Sequence, residues 1–283
     1  MAAISVSLIN MKGGVGKTTL AAQLAHAADT KRLRILAVDL DPQANLSQAL
    51  MGARGYVDHL NQKRPTVVNL FEQYLPPSIS TPSPTKCTIN DVIIKQAGYW
   101  SNTMLDLIPS RLELSNTLKN PTGKERKLAK ALSTVVDDYD LIIIDCAPTE
   151  SILTDAAYHA SRYALVPVKP EFLATIGLPL LANSVIEFKA ENADHSLDIC
   201  GIVFNHSSSY SDGPETAASV REVTNEASKH GWHIYDTHVR YSRSYAKAAR
   251  ERTPIASTSH VRTNVPRQFS AFSQEFFKSI GIN

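Results

Sequence analysis

The chain reads Lys12-Gly13-Gly14-Val15-Gly16-Lys17-Thr18-Thr19 between its first predicted strand, residues 3–9, and its first predicted helix. Apolar residues alternate with serine before this stretch, and Leu20, Leu24 and Ala28 recur at helical spacing after it. Glycines let successive backbone N–H groups turn towards one centre, and the N-terminus of the following helix adds a partial positive charge. The stretch therefore predicts a phosphate-binding loop, with an ordinary glycine turn before a helix as the simpler alternative.

The loop supplies several groups suited to a bound nucleotide. The residues expected to bind it are Gly13, Gly14, Val15, Gly16, Lys17, Thr18 and Thr19. Lys17 would neutralise the β- and γ-phosphates, and the Thr18 hydroxyl would ligate Mg²⁺. Met11 stands where the standard G-x-x-x-x-G-K-[ST] pattern has its first glycine, and Lys12 follows it. The loop therefore departs from the standard pattern at its first position.

Predicted strands and helices alternate along most of the chain. The strands cover residues 3–9, 34–39, 104–108, 141–144, 163–168 and 199–204, with helical patterns between several of them. This alternation predicts an α/β fold with a doubly wound, mostly parallel sheet and helices on both faces. Residues 54–101 interrupt it with prolines at 76, 77, 82 and 84, and are expected to be an insertion or a long surface connection. No linker divides the chain, so residues 1–283 are predicted to form one domain.

The composition is that of an intracellular globular protein. Its 283 residues are 43% apolar and 20% charged, which excludes disordered and fibrous classes. Three widely separated cysteines give neither a disulfide framework nor a paired ligand motif, and His230 and His233 lack an evident third metal ligand. No apolar run approaches the roughly 20 residues that span a bilayer. We therefore expect a cytoplasmic protein in a reducing compartment.

Aspartates follow two of the predicted strands. Asp39 and Asp41 come at the end of the second strand, and Asp145 follows residues 141–144. An aspartate before a helix is commonly a cap, and Asp41-Pro42 has that form. Ligands of open parallel sheets, however, bind outside the carboxyl ends of the strands. Three aspartates at such ends, beside a phosphate loop, favour a nucleotide and metal site over separate caps.

Three motifs together resemble the ParA/MinD family of ATPases. The first is the loop at residues 12–18, which resembles the family's deviant Walker A sequence with its signature lysine before the glycines. The second reads Asp39-Leu40-Asp41-Pro42-Gln43-Ala44-Asn45, and the third reads Leu141-Ile142-Ile143-Ile144-Asp145-Cys146-Ala147-Pro148. Ile108-Pro109-Ser110, and Val166-Pro167-Val168 followed by Glu171 and Gly177, also resemble ParA proteins. The resemblance covers most of the chain outside residues 54–101.

The resemblance implies an ATPase with the fold of a P-loop NTPase. ATP would bind in a sandwich homodimer, in which Lys12 reaches the phosphates of the ATP held by the partner subunit. Lys17 would act in cis, and Asp41 would position and polarise the attacking water. Hydrolysis would be slow until a partner stimulates it.

The resemblance also implies the residues that hold the cofactors. Asp39 and Asp145 would hold the Mg²⁺ shell together with Thr18. Asn205 resembles the family residue that contacts adenine, although an asparagine at a strand end is equally typical of a turn. ATP and Mg²⁺ are thus the expected cofactors.

A basic segment lies towards the end of the sequence. Residues 229–267 contain eight basic and two acidic residues and carry +6, although the whole chain carries +2. A helix there would present one basic stripe, with Tyr241 and Tyr245 interleaved, made of Arg240, Arg243, Lys247 and Arg250. The resemblance to ParA implies that this stripe binds DNA without sequence preference, through phosphate contacts. A solvated basic helix face is the alternative.

Attachment to a membrane through the last helix, as in MinD, is a second alternative. Pro266 starts this predicted helix, and its apolar face comprises Phe269, Phe272, Phe276, Phe277 and Ile280. Such a face can lie in a bilayer interface. Because only Arg267 and Lys278 would meet anionic lipid, packing of this face on the core is favoured.

The remaining expectations concern partners. The phosphate loop begins at residue 12, which leaves no room for an N-terminal helix-turn-helix domain, so sequence-specific DNA binding is not expected. Specificity would come from a ParB-like adaptor that also stimulates hydrolysis, with the protein on the nucleoid and a plasmid, a chromosome or a protein assembly as its cargo. A metal-cluster carrier of the same fold is disfavoured, because Cys87, Cys146 and Cys200 do not have the placement that cluster ligands need.

Overall fold

A computed structural model describes residues 2–75, 83, 85–171, 174–207 and 213–282. Its strands are β1 (Ile4–Leu8), β2 (Ile35–Leu40), β3 (Tyr74–Leu75), β4 (Thr85–Lys86), β5 (Leu105–Ile108), β6 (Leu141–Cys146), β7 (Tyr163–Val168), β8 (Asp198–Ser207) and β9 (Val239–Arg240). Seven of these form one parallel sheet in the spatial order β5-β2-β6-β1-β7-β8-β9, while β3 and β4 pair as a short antiparallel ribbon. The predicted doubly wound parallel sheet is confirmed.

Helices connect the strands on both faces of the sheet. They are α1 (Lys17–Thr30), α2 (Asn45–Asn61), α3 (Val67–Glu72), α4 (Ile89–Val92), α5 (Ser115–Lys119), α6 (Lys127–Leu132), α7 (Ile152–Ala160), α8 (Ala174–Glu191), α9 (Pro214–Lys229), α10 (Arg243–Glu251) and α11 (Asn264–Ser279). Short 3₁₀ turns occur at Leu112–Leu114 and Ile255–Ser257. Two apolar cores result, one on each side of the sheet.

The central strands bring the three motifs to one edge of the sheet. β1 pairs with β6, and β6 pairs with β2, with Leu8 opposite Asp145 and Asp39 opposite Asp145. All residues of β2 and β6 are buried, as expected for parallel strands covered on both faces. β6 and β2 lie on one side of β1, and β7 and β8 lie on the other. Such a reversal of strand order leaves a crevice at the carboxyl ends of these strands.

Residues 54–101 are more than a connection across the surface. α2 continues to Asn61, and α3 buries Val67, Val68 and Phe71 in one of the two cores. Ile94 forms an antiparallel bridge to Leu107 at the edge of the sheet. The expectation of a surface connection is wrong for α3, because its apolar side chains fill the interior. The prolines at 76, 77, 82 and 84 lie outside the described residues.

The last helix packs on the core. α11 begins at Asn264, two residues before the predicted start at Pro266. The apolar side chains that the sequence placed on one face are all buried, namely Phe269, Phe272, Phe276, Phe277 and Ile280. The favoured interpretation of this face as core is confirmed. Among the described residues, no helix combines the length and the apolar character that crossing a bilayer requires.

Candidate functional site

The phosphate loop closes against the end of β8. Gly16 has φ 89° and Gly14 has φ 74°, conformations that side chains with a Cβ adopt at a cost. Asn205 is buried and donates from Nδ2 to the Val15 carbonyl at 2.7 Å. A Cβ on Gly16 would lie 2.2 Å from Asn205 Nδ2. Asn205 therefore stabilises the loop through its hydrogen bond to Val15, and the sequence did not indicate this contact.

Lys17, the first residue of α1, folds back into the loop. Its Nζ donates to the carbonyls of Asn10 at 2.9 Å and Lys12 at 3.2 Å, and its side chain is buried. Burial lowers the pKa of Lys17, while the nearby carboxylates of Asp145 and Asp41 oppose that shift. The structure thus holds one ammonium group at the point where the loop meets the carboxylates.

Asp39 anchors the N-terminus of α2. One of its oxygens, Oδ2, accepts hydrogen bonds from the backbone N–H and the hydroxyl of Ser47, at 2.7 and 2.6 Å. Its other oxygen accepts from the backbone N–H of Asp41 at 3.2 Å. Burial nevertheless raises the pKa of Asp39, with the Ser47 bonds opposing the rise. The Ser47 hydroxyl also accepts from the Ser110 N–H at 2.9 Å, which joins the first turn of α2 to the segment that follows β5.

Asp145 differs from Asp39 because few donors offset the negative charge of its carboxylate. It is fully buried, and neither carboxylate oxygen has a hydrogen-bond partner of ordinary geometry among the described residues. Burial raises the pKa of Asp145 well above its usual range, and Asp39 adds to the rise, with Thr18 and Lys17 opposing it. A divalent cation at this edge of the sheet would relieve the excess negative charge.

Lys12 points away from the loop that contains it. Its Nζ donates to Glu171 Oε2 at 3.0 Å, and Lys169 pairs with the same carboxylate. These two ammonium groups lower the pKa of Glu171. Lys12 is therefore held at the rim of the site, just beyond the end of β7.

A cavity of about 410 Å³ opens beside the phosphate loop, between α1, α2 and α10. Thr18 and Thr19 line it at the loop, and Tyr245 and Arg250 line it on α10. The Tyr245 hydroxyl is buried without a hydrogen-bond partner in the described part of the chain. The volume suits a small molecule.

Comparisons with known proteins agree with this geometry. A family model described as an AAA domain matches residues 3–199. The chromosome-partitioning ATPase Soj of Treponema pallidum is 32% identical over 267 residues, covering 86% of this chain and 94% of that protein. The chain belongs to the ParA/MinD family of ATPases.

Three of the other relatives of this ParA/MinD-family ATPase are uncharacterised proteins. One from Methanocaldococcus jannaschii is 33% identical over 215 residues, covering 75% of this chain and 76% of that protein. Two from Mycobacterium tuberculosis are 32% identical, and the match spans 65% of their length.

Solved structures share the fold. An ATP complex of a Cyanothece McdA variant superposes with a TM-score of 0.79 at 18% identity, covering 100% of this chain and 98% of that one. A putative plasmid partition protein from Borrelia burgdorferi bound to AMPPNP gives a TM-score of 0.72 at 20% identity, covering 98% and 99%. The predicted P-loop NTPase fold is confirmed.

This ParA/MinD-family protein is an ATPase of the ParA-like positioning type, with ATP and Mg²⁺ as its cofactors. The residues present fit Mg²⁺, because the uncompensated Asp145 carboxylate lies near the Thr18 hydroxyl at the phosphate loop. Among the described residues, no three His, Cys, Asp or Glu side chains converge to hold a metal by themselves. Mg²⁺ commonly uses one or two protein oxygens together with substrate phosphates, which agrees with this donor set.

The basic residues are arranged differently from the prediction. Arg243, Lys247 and Arg250 lie on α10, whereas Arg240 lies on β9, so the predicted single helical stripe of four residues is wrong. The chain turns at residues 241–242 before α10 begins, because Ser242 caps the helix by accepting from the Ser244 N–H. Tyr245 does not interleave with the stripe, since it packs inwards on Phe269 and is 8% exposed.

Sequence reasoning missed the residues that support the site. Ser47 fixes Asp39, and Gln23 and Arg252 connect the segment after α10 to α1 and α2. Asn205 was predicted to contact adenine, which stays a prediction, whereas its bond to the Val15 carbonyl was not predicted. The serine two residues after Asn45 was the available signal for the first contact, because serine commonly bonds near a helix start. The other contacts join residues about 190 or more positions apart and leave no local pattern.

Proposed function

We propose that this ATPase forms an ATP-dependent homodimer that binds DNA without sequence preference and positions a cargo on it. A ParB-like adaptor would stimulate ATP hydrolysis and so release the protein from DNA. The observation that carries the proposal is the basic stripe, defined here as Arg243, Lys247 and Arg250 on α10. The helix that carries this stripe also lines the cavity beside the phosphate loop, so a bound nucleotide could control DNA binding.

The basic stripe is suited to phosphate contacts. Positions 243, 247 and 250 lie on one side of a helix, and Arg243 and Arg250 are exposed. One acidic partner is close, Glu251, whose Oε1 lies 3.8 Å from Lys247 Nζ. Arg240 is exposed just before the helix and extends the cationic surface, and the exposed Tyr241 lies next to it in the chain. Arginine and lysine on such a surface bind DNA phosphates regardless of base sequence.

The positions of the residues at the nucleotide site support the separate roles that the family pattern implies for them. Lys17 acts in cis from within the loop, and Lys12 stands at the rim, from which it would reach the ATP of the partner subunit. Thr18 and Asp145 would hold Mg²⁺, which neutralises charge on the phosphates, with Asp39 supporting that shell. Asp41, buried at the end of β2 and fixed by a 2.8 Å bond from the Gln43 N–H to its Oδ1, would orient the attacking water.

The nucleoside would lie next to the loop. The cavity between α1, α2 and α10 adjoins Thr18 and Thr19, and Asn205 adjoins Gly16 on the other side. Because α10 lines this cavity, nucleotide binding and the basic stripe would share one structural element.

The test is binding to random-sequence duplex DNA with ATP, with ADP and without nucleotide, over a series of salt concentrations. We expect ATP-dependent binding that weakens as salt rises. Arg243→Ala should reduce the affinity and lower the slope of log K against log salt by about 1. Arg221→Ala removes an exposed arginine on α9 and serves as the matched control. Protein that binds ATP but shows no ATP-dependent DNA binding at low salt would refute the proposal.

Two further experiments test the adaptor and the location on the nucleoid. A purified ParB-like partner should raise the hydrolysis rate of the DNA-bound protein and shorten its residence on DNA. Fluorescently labelled protein should then localise to the nucleoid, and Arg243→Ala should spread through the cell.

A further inference from the structure

The segment that follows α10 contacts both helices of the nucleotide site. We call residues 252–255 the junction. It begins at Arg252, the C-cap of α10, whose backbone lies in the left-handed region at φ 58°. From there the chain turns between α1, which carries the phosphate loop, and α2, which starts just beyond Asp41. The junction is thus placed between the basic stripe and the two elements that carry the nucleotide-site residues.

The first junction contact is at a break in α2. Gly52 has φ 76° and ψ 155°, which are not helical values, so α2 changes direction there. A helix break leaves carbonyl groups of the preceding turn without their usual amide donors. Arg252 donates from Nε to the Leu50 carbonyl at 2.9 Å. A Cβ on Gly52 would lie 2.7 Å from Arg252 Cδ, so the glycine makes room for this side chain.

The second junction contact is with α1. Gln23 is buried and donates from Nε2 to the Thr253 carbonyl at 3.3 Å. Its Oε1 accepts from the Ile255 N–H at 2.7 Å. Gln23 lies one turn beyond Thr19, so the junction is also fixed relative to the phosphate loop.

The first turn of α2 is hydrogen-bonded to Asp39 and to the turn that contains Asp41. Ser47 donates two hydrogen bonds to Asp39. Gln43, in the turn before α2, donates its N–H to Asp41, and Gln48 of α2 donates from Nε2 to the Gln43 carbonyl at 3.2 Å. Ser47 and Gln48 lie within one helical turn of Leu50. A displacement of α2 at Leu50 would therefore change the positions of both carboxylates.

We propose that Arg252 is a positioning residue for ATP hydrolysis, which holds the first turns of α2 so that Asp41 stays correctly placed. Arg252 touches neither the phosphate loop nor the carboxylates, and it acts through the Leu50 carbonyl. The inference concerns the hydrolysis reaction and does not depend on DNA binding. It does rest on the proposed role of Asp41.

The experiment compares steady-state ATPase rates of the full chain and its variants. Arg252→Met keeps the length of the side chain and removes its donors, whereas Arg252→Lys keeps a charged donor. We expect Arg252→Met to lower kcat about tenfold, the effect of losing one charge-assisted hydrogen bond, with the KM for ATP changed less than about twofold. Arg252→Lys should recover much of the loss. Arg262→Gln removes an exposed arginine beyond the junction and should leave the rate unchanged.

A second variant approaches the contact from α2. Gly52→Ala should displace Arg252, because the added Cβ lies 2.7 Å from Arg252 Cδ, and should also lower the melting temperature, because φ 76° is strained for alanine. Its kcat, measured well below that melting temperature, should fall as in Arg252→Met, which keeps the proposal testable if Arg252→Met fails to fold. Unchanged kcat in both variants would overturn the proposal. Parallel losses of kcat, ATP affinity and melting temperature, without recovery in Arg252→Lys, would also overturn it and indicate a structural role alone. Asp41→Asn separates the two proposals, because activity in that variant would refute the role of Asp41 itself.

Discussion

His26 is a buried histidine in α1, and it should make the fold sensitive to acid. Its side chain is 3% exposed, and its Nδ1 has no hydrogen-bond partner within the described ranges. Burial lowers its pKa from 6.5 to about 4, with Asp29 opposing the shift and Arg252 adding to it. The folded protein therefore keeps this imidazole neutral over a pH range in which an exposed histidine is charged.

The sign of the effect follows from proton uptake. Between pH 6.5 and pH 4 the unfolded chain binds a proton at His26 that the folded chain does not, so stability falls as the pH falls. The 2.5-unit difference corresponds to a maximum loss of about 3 kcal/mol, of which about 2 kcal/mol is lost between pH 7 and pH 5. This is a substantial part of the free energy of unfolding of a typical domain.

The assay is urea unfolding at pH 7, 6 and 5, followed by the fluorescence of Trp100 and Trp232. His26→Leu removes the titrating group, so the variant should gain about 2 kcal/mol relative to the wild type on going from pH 7 to pH 5. His260→Leu, at an exposed histidine, should follow the wild type. An equal difference between wild type and His26→Leu at pH 7 and pH 5 would refute the reasoning.

Three further predictions concern the nucleotide site. Gly16→Ala should lower ATP affinity more than Gly14→Ala, because an added Cβ meets Asn205 at 2.2 Å in the first case and no atom within 4 Å in the second; equal losses in a nucleotide-binding titration would contradict this. Asp145→Asn should raise the melting temperature measured without nucleotide, because it removes a buried charge. The same variant should lower Mg²⁺-dependent hydrolysis about 100-fold. A lower melting temperature with normal hydrolysis would contradict both expectations. Glu171→Gln should change stability by less than about 1 kcal/mol, because the pair with Lys12 is partly exposed. By releasing Lys12, it should strengthen ATP-dependent dimerisation in sedimentation, and a weaker dimer would argue against a role for Lys12 across the interface.

The candidate nucleotide site could be proposed from the sequence because it consists of short motifs at strand ends. The loop at 12–19 and the aspartates at 39, 41 and 145 each occupy one strand–helix connection, and the parallel sheet brings them together. The fold class followed from the same alternation of strands and helices. The boundaries of β7 matched the prediction, whereas β8 extends beyond the predicted residues 199–204 at both ends.

The sequence was a poorer guide to the fold where one spacing of residues is compatible with several backbone conformations. Arg240 has helical spacing to Arg243, yet the chain pairs residues 239–240 with β8 before α10 starts. Tyr245 looked like part of a surface stripe, but α10 turns that position towards Phe269. In residues 54–101 the prolines suggested a surface path and obscured the buried positions of α3. Local spacing does not specify which of several neighbours a side chain packs against.

By itself the sequence determined which chemical groups meet at the candidate site: a glycine loop with two lysines, a threonine hydroxyl, and carboxylates at the ends of parallel strands. Those features depend on residue type and on connections of a few residues, which are readable in order along the chain. Only the tertiary structure decided how that chemistry is supported. The contacts of Asn205 with Val15 and of Arg252 with Leu50 join segments about 190 or more residues apart, and they exist because packing of α1, α2, β8 and the junction brings those segments together.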